Sequence, residues 1–249
     1  MGSNKNINEV DLENCTFVKT MCMLLVIIGH SMAFWTGTWF TQNPVYQSNG
    51  LNTITSFIGN SHIGCFTLVS GYIFRYVKQE RGGYNTFRSF IRNKTRRLIV
   101  PYCFAMIIWV CPITSFLLDY SVRDIIIKFI FGTAPGQLWF FLMIWFVFII
   151  VYPLEPFISK NYYLGLFLSI VSVVIRYVGN MMLPNIFQVW TAFQYIPIFL
   201  IGYYIRKEQG IIRNKSCIIW IMLYTLFSLL QALANMFDWK NSKSFSSLS

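Results

Sequence analysis

The chain has 249 residues, 55% of them hydrophobic, 18% aromatic and only 12% charged, with a mean hydropathy of +0.53. So apolar a composition excludes a soluble domain of this size and predicts an all-α fold, a polytopic transmembrane helical bundle. The formal net charge of +11 does not point to nucleic acid. Most of the basic residues sit in two short loops beside apolar runs, where topology is encoded, and no soluble basic domain is left to hold a duplex.

The first ten residues are polar, and the apolar run over 17–35 that follows lacks a small-residue cleavage site, so it reads as an uncleaved first span. It carries Lys19 at its start and His30 deep inside, with ten residues between them. Eleven positions are close to three whole turns, which puts both side chains on one helix face, roughly 16 Å apart along the axis. A second span is expected at 51–74. Its first half holds Asn52, Thr53, Thr55, Ser56, Asn60, Ser61 and His62, which lipid does not tolerate and which must face protein or water. Residues 75–97 carry eight basic side chains against Glu80 alone, the mark of a cytoplasmic loop. Within it Phe87, Phe90 and Ile91 recur at helical spacing among arginines, the pattern of an interfacial helix on anionic lipid headgroups.

A third span is predicted at 98–118, with Pro101 in its first turn and Pro112 placed to kink it. Residues 125–131, interrupted by Lys128, are too few to cross and read as interfacial or re-entrant. Further spans are expected at 138–152, ended by Pro153 and Glu155, then at 162–177 and 187–205 and, beyond a second basic loop, at 217–237. That makes about seven spans in a single domain over 1–249. With the N-terminus cytoplasmic, only Arg123, Lys128, Arg176, Lys240 and Lys243 of the twenty basic residues fall outside, as expected for a multi-pass protein of the cell (inner, cytoplasmic) membrane.

None of the six cysteines forms a CxxC or joins a histidine cluster, so buried apolar filler is their expected role and no metal site is predicted. His30 and His62, the two histidines of the chain, both fall within predicted spans, where an ionisable group is a functional candidate by default. In this topology the first helix runs outward and the second inward, so the imidazoles are expected at similar depth. Imidazole can take or give a proton near neutral pH, as activation of a hydroxyl nucleophile requires. No GxSxG or HExxH motif is present, and no acidic residue falls inside a predicted span.

KTMCMLLVIIGH over 19–30 resembles the first-helix motif of the membrane-bound acyltransferase 3 family: a basic residue, ten residues, then histidine. HIGCFTLVSGYIF over 62–74 is similar to that family's second-helix segment, and KTRRLIVPY over 94–102 to its basic pair three apart followed by Pro-Tyr. LWFF at 138–141 and FLIGYYI at 199–205 are similar to weaker blocks in the same order. Thr16 stands where the family often has aspartate, and Ile63-Gly64 where it has Met-Pro. Members carry about ten spans, so the chain is expected to be a short version or to lack a C-terminal part.

The resemblance implies an O-acyltransferase that passes an acetyl or other acyl group from cytoplasmic acyl-CoA to a hydroxyl of a cell-surface or lipid-linked glycan. His30 would be the catalytic base or acyl relay, and His62 would assist near the acceptor. Lys19, Lys94 and Arg97 would hold the phosphates of acetyl-CoA, with Ser70 and Gly71 allowing close helix packing around the donor channel. Acyl-CoA, the glycan acceptor and membrane lipids are the expected partners. The alternatives are a non-enzymatic translocator of a lipid-linked sugar and an inactive truncated relative.

Overall fold

In lipid a backbone must satisfy its own hydrogen bonds, so apolar runs of this length are confined to helix, and helix is what the chain forms. A computed structural model describes residues 3–33, 35, 48–117, 121–133 and 135–208, and among these there is no strand. The elements are α1 (Ser3–Ala33), α2 (Asn49–Arg75), α3 (Phe87–Ala105), α4 (Cys111–Leu117), α5 (Val122–Ile125), α6 (Trp139–Ile158), α7 (Tyr162–Met182) and α8 (Val189–Lys207). Among the described residues five stretches are long and apolar enough to cross a membrane: Leu12–Met32, Phe87–Ile113, Trp139–Ile158, Tyr162–Met182 and Ile186–Lys207. At 27 residues α2 is also long enough to span, but its polar first half sets it apart from those five. The span expected at 217–237 lies outside the described residues.

Two boundaries differ from the sequence reading. The basic stretch expected to lie on the membrane surface is instead the start of α3, capped by the Thr86 hydroxyl accepting from the Ser89 amide, and it runs unbroken into the third span. Pro101 is therefore inside a helix, and a π-helical turn at Met106–Val110 leads into the segment that holds Pro112. The fourth span does not stop at Pro153. Helix α6 continues through Pro153 and Pro156 to Ile158, so Glu155 belongs to a membrane-spanning helix and is 1% exposed. Proline removes one backbone donor but need not end a helix whose neighbours can satisfy the freed carbonyl.

The described residues group into two compact units, one within 3–69 together with 207–208, the other within 70–206. In the first, α1 and α2 pack antiparallel. The Cys22 thiol is hydrogen-bonded to Cys65, and a Cβ on Gly29 would come 3.2 Å from the Ile58 side chain. Both pairs sum to the same residue number, which fixes the register of the pair. The seam repeats in heptads, through Cys15, Cys22 and Gly29 on one helix and Thr55, Ile58, Cys65 and Val69 on the other, all buried except Cys65, which is half-buried. Phe17, Met23 and Ile27, on the outer face of α1, are each about 60% exposed, as a lipid-facing surface requires.

In the second unit α7 buries Gly165, Ser172 and Gly179, spaced seven apart, and turns Leu166, Phe167, Ile170, Val173 and Val174 outward, each more than half exposed. Small residues inside and large apolar ones outside is the membrane pattern, since lipid offers no hydrophobic drive and close backbone approach supplies the packing. Tyr204 of α8 sits where a side chain on Gly165 would be, and Trp190 where one on Gly179 would be. At the other face of α8, the backbone oxygen of Phe199 is 2.0 Å from the position of a Cβ on Gly71. Phe74 is the hub of this unit, with the rings of Tyr84, Phe90, Phe148, Tyr152, Phe199 and Tyr203 centred 5.6–6.4 Å from its own.

Candidate functional site

The α1–α2 seam carries the two histidines. His62 lies in the heptad row between Ile58 and Cys65, and its Nδ1 is 2.6 Å from the Ile58 carbonyl oxygen. A carbonyl only accepts, so Nδ1 carries the proton and Nε2 is left as the atom able to take another. His30 adjoins Gly29, which packs against the Ile58 side chain, and is half-buried near enough to His62 for the two imidazoles to interact electrostatically. The register sets His62 level with Leu25 and His30 level with Phe57, an axial offset of about 7.5 Å. The imidazoles, expected at similar depth, are thus offset along the seam by somewhat more than one turn. Lys19 is half-buried on the same side of α1, while Val18 and Thr20 beside it are exposed. Thr55, seven positions before His62, adds a buried hydroxyl with no hydrogen-bond partner among the described residues.

The other predicted site residues lie in the second unit. On α3, Phe90, Lys94 and Arg97 recur at i, i+4 and i+7 and share one face, while Arg88, Arg92 and Arg96 follow another. The Lys94 ammonium is 3.7 Å from the centre of the Phe148 ring and 5.5–5.6 Å from those of Tyr84 and Phe90, a cation held by aromatic faces. Arg97 is exposed. Burial pushes the Tyr84 phenol above its ordinary value, with the charge of Arg97 acting in the opposite direction. Ser70 is half-buried, and Gly71 is the tight contact between α2 and α8.

This end of the unit also holds a polar network that the sequence reading does not anticipate. The buried Glu155 carboxylate accepts from Tyr203 Oη at 2.7 Å and from the Gln79 amide, through one and the same oxygen. The Arg75 guanidinium lies 4.8 Å over the Tyr203 ring, and its Nη1 is buried without a hydrogen-bond partner among the described residues. Arg206, 6% exposed, pairs with Glu80, donates to Tyr72 Oη at 2.9 Å and stacks 4.7 Å over Tyr76. The available signal was the lone carboxylate two residues beyond Pro153, a position that is buried once the helix is seen to continue.

Among the described residues no three His, Cys, Asp or Glu side chains come together as a metal site would require. No curated protein and no solved structure matches the chain. A family profile described as an acyltransferase domain matches residues 13–247, nearly the whole length and inclusive of every residue discussed above. The chain belongs to the acyltransferase 3 family of membrane acyltransferases.

Proposed function

We propose that the protein is an O-acyltransferase that moves an acyl group, acetyl in the first instance, from cytoplasmic acyl-CoA to a hydroxyl of a cell-surface or lipid-linked glycan, in the cytoplasmic membrane and with its N-terminus inside. The observation that carries this reading is the α1–α2 seam, where Lys19, His62 and His30 follow one another along a single packed interface. In the reaction the acceptor hydroxyl attacks the thioester carbonyl and gives its proton to imidazole. The carbon–sulfur bond then breaks, and the coenzyme A thiolate takes up the proton. A general base contributes about 10²–10⁴-fold to such a step. His62, whose Nδ1–H is already given to the Ile58 carbonyl, directs Nε2 outward from that bond and suits return of the proton to the departing thiolate. His30, the family-motif histidine, takes the complementary position as base or relay.

Lys19, Lys94 and Arg97 are assigned to the donor's phosphates, for which point-charge ammonium and forked guanidinium groups are suited. Acetylation of surface glycan, scored as base-labile acetyl groups in cells making the chain, tests the reading. Acetyl incorporation should appear with the unsubstituted chain and disappear with His30→Ala. Incorporation that persists in both His30→Ala and His62→Ala refutes it.

A further inference from the structure

At the end of the second unit remote from Lys94, the turns before α6 and before α8 build a cleft of about 480 Å³, within the span of roughly 300–1,000 Å³ usual for small-molecule sites. Trp139, Arg176, Gln188, Thr191, Gln194 and Tyr195 line it. Its floor is held by a closed set of hydrogen bonds. Gln188 donates from Nε2 to the carbonyls of Gly132 (2.8 Å) and Thr133 (3.1 Å), and its Oε1 accepts from Asn185 (3.0 Å) and Thr191 (2.9 Å). The Phe187 amide donates to the Phe131 carbonyl at 2.8 Å, tying the two turns to each other.

Phe187 and Gln188 hold this shape at φ of 52° and 59°, a left-handed conformation that is strained for non-glycine residues. A strained turn with every Gln188 hydrogen bond used internally is a support, and it leaves the remaining side chains to meet a ligand. The Trp139 and Tyr195 rings lie 6.0 Å apart and inclined at 44°, offering two flat apolar faces at an angle. Arg176 gives its Nε–H to Gln194 Oε1 at 3.0 Å, and among the described residues that is its one hydrogen bond, so the terminal Nη groups remain. No acidic side chain is present among the lining residues.

Aromatic faces for the apolar side of a pyranose ring, amide and hydroxyl groups for its hydroxyls, and one uncompensated guanidinium together describe a site for a sugar bearing a carboxylate or phosphate. We infer that this cleft binds the acceptor, and that the acceptor presents an anionic glycosyl unit there. The inference rests on the acyltransferase reading for the word acceptor, whereas the cleft itself stands on its geometry. From Trp139 to Glu155, α6 rises about 24 Å. The cleft and the basic end of this unit are therefore opposite ends of one bundle, as a donor and an acceptor supplied from opposite membrane faces would require.

Saturation-transfer NMR with methyl β-glucuronide, on the full chain in phosphatidylcholine nanodiscs, tests the assignment. Binding should weaken about tenfold in Arg176→Gln, the loss expected for one charged hydrogen bond, and comparably in Trp139→Ala. Gln194→Ala, at an exposed position where truncation carries no packing cost, should weaken it about threefold. Methyl β-glucoside should bind the parent no better than the glucuronide binds Arg176→Gln. No transfer to the parent, or equal affinity in the parent and all three cleft variants, overturns the proposal. Glycan acylation is scored in parallel: acylation without glycoside binding overturns the cleft alone, and binding without acylation supports the cleft while counting against the transferase reading.

Discussion

Gly71→Ala tests the packing on which the second unit depends. A Cβ at this position would stand 2.0 Å from the Phe199 carbonyl oxygen, 2.9 Å from its carbon and 3.2 Å from the Tyr203 nitrogen, all backbone atoms that no rotamer change can move. Restoring an ordinary contact of 3.4 Å means parting α2 from α8 by about 1.4 Å, which loosens the Phe74–Phe199 ring pair, now 5.6 Å between centres. Overpacking typically costs about 1–3 kcal/mol, and a backbone clash belongs at the upper end. For a chain of this length each kcal/mol lowers the melting temperature by about 2–4 °C, so a fall of about 4–12 °C is expected. Gly59, in the same helix, supplies the control, because an added Cβ there meets nothing within 4 Å. Gly59→Ala should gain about 0.5–1 kcal/mol from lowered chain entropy and better helix propensity. Thermal unfolding in detergent micelles measures both. A Gly71→Ala chain that melts with the parent, or a Gly59→Ala chain that falls as far, would refute the assignment of Gly71 as the closest approach of two helices.

His30→Ala and His62→Ala should each reduce acyl transfer about a hundredfold or more while leaving acyl-CoA binding in place; undiminished turnover in either removes that histidine from the chemistry. Glu155→Ala strands the Tyr203 hydroxyl and the Gln79 amide in a buried setting and should cost about 2–4 kcal/mol by thermal unfolding, whereas Glu155→Gln, which keeps an acceptor oxygen, should cost less than half of that. Glu80→Ala leaves the Arg206 side chain, 5% exposed, without its carboxylate at a cost of about 3 kcal/mol, and Arg206→Met should cost less because Glu80, 37% exposed, can be hydrated; equal losses would argue against a buried cation as the sensitive partner. Lys94→Met separates two roles of one ammonium. A donor KM raised about tenfold with unchanged stability marks a phosphate ligand, and a stability loss of about 1 kcal/mol with unchanged KM marks a cation held only by Phe148 and its neighbours.

What the sequence makes legible is governed by which forces act locally. The spacing of Lys19 and His30 is a property of one helix, and their shared side of α1 follows from 3.6 residues per turn. Helix α2 was likewise readable, because polar residues in its first half can only be buried against protein or water. Other features depend on partners that sequence spacing does not name. Pro153 reads as a stop, so Glu155 is placed in a loop, yet the helix continues and the carboxylate is buried against Tyr203. The Gly165, Ser172 and Gly179 heptad was present in the sequence, but an apolarity search follows large residues, and on α7 those face outward. The turn at Phe187 and Gln188 lacks the glycine or asparagine that usually announces a positive φ, so the cleft it supports could not be anticipated.

The register of α1 against α2 also separates the two histidines, which the sequence alone treats as equivalent. Cys22 with Cys65 and Gly29 with Ile58 place His62 level with Leu25, six residues from Lys19, and leave His30 eleven residues away. At 1.5 Å per residue these are about 9 Å and 16 Å along the axis. An anionic head bound at Lys19 therefore meets His62 first and His30 only at greater depth. His62 also has its tautomer set by the Ile58 carbonyl, with one ring nitrogen committed and the other open. A thioester extended from Lys19 passes the imidazole of fixed tautomer before it reaches the family-motif histidine, so an acceptor hydroxyl arriving from the far end of the seam would encounter His30 first. On the proposed transferase reading, that order would have His30 take the hydroxyl proton and would leave His62 beside the departing sulfur, where a proton is needed once the thioester opens.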